Sequence, residues 1–393
     1  MKEVDYVKMG IEVRSVKSIL TMINNVDKEN LYEYYIETTH HPLPYEKITR
    51  KKMMEHILDY YNDEDRLLYT LSKNEIEILK KIIEKENVIL EENKLILQSL
   101  SKKYIIDYSF YFNDVVIYNE FYDIVERMLE QASTSKGQKF INLQQVSIGI
   151  CNAYGILTKE EFYNCIYRYI DDIDQEEIDA FIIESQYFNH CIALLEITYD
   201  NRPVVLYTYK DVELVADFLD MFINVLALPK YEFSYEEIIT YANYGINYKN
   251  PSLQRLLQCM KAVDTYFFED LFLEAVFTNV NLLLDKNNLK KIIYEIYPHY
   301  KGNVEQFFEL LDLCDEVAET LNTWAARGYP ANRMSDILGD LHLDVMKKLE
   351  TAYHYKTGLL PEEDLTRFLE FVENTTEEEL DEYIHLDDKK HLN

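Results

Sequence analysis

A mainly α, helical multi-domain protein is predicted by two observations on this 393-residue chain. Glycine (9) and proline (8) are scarce, and a chain poor in breakers favours long helices over a sandwich or barrel. One order of elements also occurs twice: a helical stretch with helix-turn-helix spacing, a short β-hairpin and a further helix, first over 72–130 and again over 143–218. Helix, helix, hairpin is the order of a winged helix. The predicted fold class is therefore two winged-helix-like units on a helical body that ends in a C-terminal helical bundle. With 48% hydrophobic residues the chain can bury more than one core,. The expected boundaries are an N-terminal helical segment over 1–62, a first unit over 63–131, a second over 140–232, and a bundle with an acidic tail over 233–393.

Ile11, Val13, Val16, Ile19, Leu20 and Ile23 recur close to a 3.6-residue period, which predicts a helix,. Pro42 and Pro44 break it, and a helix restarts over 45–61,. In the first unit, Ser72 followed by Glu75 has the spacing of a capping box, and Ile76, Ile78, Leu79, Ile82 and Ile83 supply an apolar stripe,. A second helix over 91–102 points Leu95, Leu97 and Leu100 inward. The runs YIIDYSFYF and VVIYNEF, across Asn113-Asp114, read as a hairpin,. A helix over 122–131 closes the unit, and QASTSKGQ (131–138) reads as a linker,.

The second unit opens with a helix over 143–153, with Tyr154-Gly155 as its C-cap,. Thr158 with Glu161 starts the next helix, EEIDAFIIESQ is another, and CIALLEITY and VVLYTYK flank Asp200-Asn201-Arg202-Pro203 as a second hairpin. A helix over 211–226 follows. Beyond Phe233 only helices are predicted: one capped by Ser234, one opened by Pro251-Ser252, and others over 265–284, 288–297, 304–326, 334–355 and 362–372.

Charge narrows the partners. Forty Lys and Arg stand against 71 Asp and Glu, a formal net charge of -31, and polyanions reward clustered positive charge. The balance disfavours nucleic acid as a partner and points to another protein. The five cysteines are an odd number, widely spaced in apolar segments, so no disulfide framework is expected,. The N-terminus MKEVDYVKMGIEVRS lacks the apolar core of a signal peptide, and no window of about 18 uncharged apolar residues occurs. A cytoplasmic location and no membrane partner are the corresponding expectations.

No constellation carries chemistry, and neither a cofactor nor a metal is expected. The acidic run from Asp171 to Glu177 lacks the glycine of a calcium loop and fits a helix start, where the dipole favours acids,. His40-His41 and the Asp340, His342, Asp344 set form no cage, since helix positions two apart face away from each other. His190 and Cys191 read as neighbours on a strand, pointing to opposite faces. Neither a nucleophile elbow nor a phosphate-cradling loop is present. Tyrosine is the compositional outlier with 34 residues. Tyrosine is enriched at interfaces, and Tyr104, Tyr108, Tyr111 and Tyr118 around the first hairpin are the candidate interface.

The segment Leu321-Asn322-Thr323-Trp324, followed by Gly328-Tyr329-Pro330-Ala331-Asn332, resembles a stretch in uncharacterised proteins of low-GC Gram-positive bacteria. Some of those end in a zinc-binding SEC-C motif, for which this chain has no cysteines after Cys314. The resemblance implies a bacterial interaction protein and brings no catalytic residue. The expected function is a non-enzymatic interaction or regulatory protein whose winged-helix-like units and bundle bind proteins. Two alternatives stand beside it: a transcription-associated regulator that touches DNA through Lys94, Lys102 and Lys103, and an acidic DNA-mimic inhibitor.

Overall fold

The structure is a computed structural model describing residues 18–39, 42–63, 66–90, 93–109, 114–199, 202–209, 229–263, 267, 269–282, 289–290, 302–324 and 327–333. The chain is mainly helical, with two small antiparallel sheets among the described residues. No helix among these residues is long and apolar enough to cross a membrane. The chain divides into two compact units, Met1–Gln144 with Glu176–Asn189 and Gln145–Gln175 with His190–Asn393.

The first unit begins with α1 (Ile19–Met22), α2 (Lys28–Glu37), α3 (Arg50–Asn62), α4 (Arg66–Thr70), α5 (Lys73–Ile83) and α6 (Lys94–Lys102). The hairpin of β1 (Ile106–Ser109) and β2 (Asp114–Ile117) follows, closed by α7 (Asn119–Ala132). Helices start where a side chain takes up orphan amides: Asp27 accepts from Glu29 and Asn30, and Thr49 from Lys52,. Ser72 and Glu75 form the reciprocal capping box that their spacing predicts,. The apolar stripes meet in a core that includes Leu31, Met54, Ile57, Leu79, Leu97, Leu100 and Phe121,. Leu95 departs from expectation: it is 53% exposed. Lying two positions before the buried Leu97, it faces roughly 200° away from it on a helix.

Residues 131–138 form a tight corner rather than a linker. α7 ends at Ala132 and α8 (Ser135–Tyr154) starts almost at once. Thr134 donates to the Gln131 carbonyl at 2.7 Å and accepts from the Gly137 amide at 3.0 Å. A Cβ on Gly137 would overlap that carbonyl oxygen. Small polar residues sit here because two helices nearly touch.

After α8 come β3 (Ile156–Thr158), α9 (Lys159–Tyr169), α10 (Gln175–Glu184), α11 (Gln186–Cys191), β4 (Ile192–Tyr199) and β5 (Arg202–Tyr209). His190 and Cys191 thus close a helix instead of opening a strand. α10 joins the first unit by burying Ile178 and Phe181, with the Phe181 ring 5.4 Å from Phe140 and 5.3 Å from Phe188.

In the second unit the strands order β3-β5-β4, all antiparallel, with Leu157 opposite Tyr207 and Leu195 opposite Leu206. Pro203 lies inside β5, opposite Thr198. β3 pairs only with Leu206–Thr208, so the missing amide falls where β5 has one neighbour. α12 (Tyr235–Tyr244), α13 (Pro251–Val263), α14 (Glu269–Leu282) and α15 (Val304–Thr320) follow. Leu253, Leu256, Met260, Val276, Phe307 and Val317 share a second core. α15 stops at Thr320, short of the expected Ala326. The helices expected over 211–226, 334–355 and 362–372 lie outside the described residues, as does most of 288–297.

Candidate functional site

Glu75 explains why one sequence-predicted lysine is unavailable. Its buried carboxylate accepts from the Ser72 amide at 2.7 Å, from the Ser99 hydroxyl at 2.7 Å and from the Lys103 ammonium. The Lys103 side chain is only 16% exposed, so it serves the α5–α6 packing. Lys94 and Lys102 are exposed on α6. Glu75→Ala removes the carboxylate half of the capping box and strands Lys103, and a loss of about 2–4 kcal/mol is expected. Urea unfolding checks this, and an unchanged midpoint would refute the network.

The candidate tyrosines do not form one face. Tyr118 is a core residue, which corrects its place in the expected interface, and Tyr111 lies outside the described residues. Tyr104 and Tyr108 are half-buried. The Tyr104 ring packs 5.9 Å from Tyr34. Burial, with Asp27 and Glu33 nearby, pushes its hydroxyl up to about 12,. Burial does the same to Tyr118, helped by Asp107 and Glu120, again to about 12.

α10 has the opposite character to α6. It carries Glu176, Glu177, Asp179 and Glu184 and no cation. Glu177 pairs with Lys139 at 2.6 Å. Ile183 stands 80% exposed at its end.

In the second unit, residues 321–324 and 327–330 close on one another. The Thr323 amide donates to the Tyr329 carbonyl at 3.3 Å, the Gly328 amide to Thr323 at 2.9 Å, and the Asn322 side-chain amide to Gly328 at 2.7 Å. Trp324 is buried, and its indole N–H donates to the Asn152 carbonyl at 2.7 Å. The ring lies on Gly155, whose φ of +73° and lack of a Cβ make that approach feasible,. Arg327, 1% exposed, pairs with Glu161 and donates to the Ile156 carbonyl at 3.4 Å. Lys230 approaches the same carboxylate at 3.5 Å. Burial would raise the Glu161 pKa, but Arg327, the Thr158 amide and Lys230 outweigh it and hold the carboxyl below its usual range,.

The chain matches no family model, no curated protein and no solved structure. What it can do must come from its own groups.

Among the described residues no group of three or more His, Cys, Asp or Glu is placed to hold a metal ion. The Arg327–Glu161–Lys230 cluster holds no base beside a nucleophile: burial pushes the nearby Cys165 thiol up, away from thiolate,. A cleft of about 400 Å³ in the first unit is lined by Asn62, Asp63, Leu67, Arg127, Met128 and Glu130 among others. Arg127 there is tied to Asn62 at 2.8 Å. Periodicity does not reveal this loop, although a lone tryptophan beside Gly328-Tyr329-Pro330 marks it in the sequence.

Proposed function

We propose that this chain is a non-enzymatic intracellular interaction or regulatory protein, with two winged-helix-like units and a C-terminal helical bundle as protein-binding platforms. The winged-helix reading draws support from α5, α6 and the β1–β2 hairpin in one place. In the other it draws on β3, α9 and the β4–β5 hairpin, with β3 paired to β5. The observation that carries the choice of partner is the charge of the helix in the position that would enter a DNA groove. In the first series it is α6, where Lys103 is spent on Glu75 and Leu95 faces water. With only Lys94 and Lys102 left exposed, α6 offers phosphate little clustered positive charge, and its exposed Leu95 suits a protein surface,.

The test is anisotropy of labelled duplex DNA with the full chain, from low to near-physiological salt. No saturable binding is expected at micromolar protein. Saturable binding that falls steeply with salt would establish the nucleic-acid regulator instead.

A further inference from the structure

We propose that the outward face of α10 is a docking surface for a basic amphipathic segment of a partner protein, with Ile183 as the apolar anchor. This deepens the protein-binding reading and rests on it. Ile178 and Phe181 fasten α10 to its own unit, so the helix presents a fixed outer face. On that face lie Glu176, Ala180, Ile183 and Glu184, all exposed and spaced i, i+4, i+7, i+8, which aligns them in one stripe. Ile183 at 80% exposure is the most exposed large apolar side chain among the described residues. A single exposed isoleucine is ordinary. This one is bracketed by carboxylates on a helix without a cation, and Ala180, one turn before it, leaves room for a close approach.

Charge decides the occupant. An acidic partner would meet like charge along the whole stripe, whereas a segment with Lys or Arg around an apolar residue pairs with Glu176 and Glu184 while covering Ile183. A purely basic segment would leave Ile183 in water, so the face selects for both properties together.

The probe is a fluorescein-labelled synthetic helical peptide of leucine and lysine in amphipathic order, titrated with the full chain at near-physiological salt. A second peptide carries serine in place of every leucine. Saturable binding of the Leu/Lys peptide is expected, weakened about tenfold or more by Ile183→Asp. Glu184→Lys should also weaken it, whereas Glu126→Lys, the same charge change on an exposed position of α7, should not. Ile183→Ser is the second variant should Ile183→Asp fail to fold, as judged by circular dichroism. The proposal is overturned if the wild type does not bind the Leu/Lys peptide or binds the Ser/Lys peptide as tightly. It is equally overturned if Ile183→Asp is silent, or if Glu126→Lys weakens binding as much as Glu184→Lys. Those results would remove the α10 face alone; the wider protein-binding reading falls only on salt-dependent duplex binding.

Discussion

Replacing Glu161 by alanine is expected to destabilise the full chain by about 3–5 kcal/mol, the usual cost of stripping the partner from a buried charge. Arg327 is almost wholly buried, its Nε has no partner, and without Glu161 its guanidinium keeps one long bond to the Ile156 carbonyl. Lys230 would then face Arg327 with no carboxylate between them. The capping box with Thr158 goes too. Glu161→Gln keeps a hydrogen-bonding group for the cap and removes only the charge, so its loss should be smaller. The pH dependence separates the two contributions. A carboxyl held below its unfolded value contributes stability that is fully present above that value, about 4.3. The contribution is lost as the pH falls through the lowered folded value. Calorimetry between mildly acidic pH and the acid limb should therefore show a shallower loss for Glu161→Gln than for the wild type. Parallel curves would contradict the assignment.

Local rules of the chain were legible in the sequence. The boxes at Ser72 with Glu75 and Thr158 with Glu161 form, and Ser234 caps its helix, because capping depends on short-range spacing alone. Both hairpins form in the segments that alternation marks, but the turns differ from expectation: Asp114 pairs with Ser109, and Arg202 and Pro203 belong to β5. β3 was not legible. At three residues it has no period to read, and it is a strand only because β5 lies beside it. The corner at 133–134 is ambiguous in sequence because small polar residues signal either slack chain or close approach, and only the neighbouring helix distinguishes these.

The candidate surface was legible in charge but not in burial. Composition gives the acidity of α10 and the lysines of α6. Nothing local reveals that Lys103 is occupied by Glu75, 28 positions away. Likewise Ile182 and Ile183 are equivalent in sequence, yet only Ile183 is exposed. Their order along the helix leaves one face toward Phe140 and the other toward water, and the phase is set by tertiary packing. Arg327 illustrates the same limit. It sits just before Gly328, where surface placement is the ordinary expectation for arginine, and its burial depends on a carboxylate 166 positions away.

Trp324→Ala is expected to cost about 3–5 kcal/mol, since the indole fills a buried site that a methyl group leaves empty,. Its N–H bond to Asn152 would be lost, along with the edge-on contact to Phe277 at 5.2 Å. Gly155→Ala attacks the same site from the other side. It forces a Cβ into the indole and puts a side chain at φ +73°, for a loss of about 2–4 kcal/mol. Because the new methyl and the ring compete for one space, the two changes must couple. In Trp324→Ala with Gly155→Ala the added Cβ enters the vacated volume, so the double variant should lose at least about 1 kcal/mol less than the sum of the single losses. The backbone strain at position 155 remains, which keeps the double variant below Trp324→Ala alone. Denaturant midpoints of the four proteins measure this directly. Strict additivity would mean that the indole does not rest on Gly155.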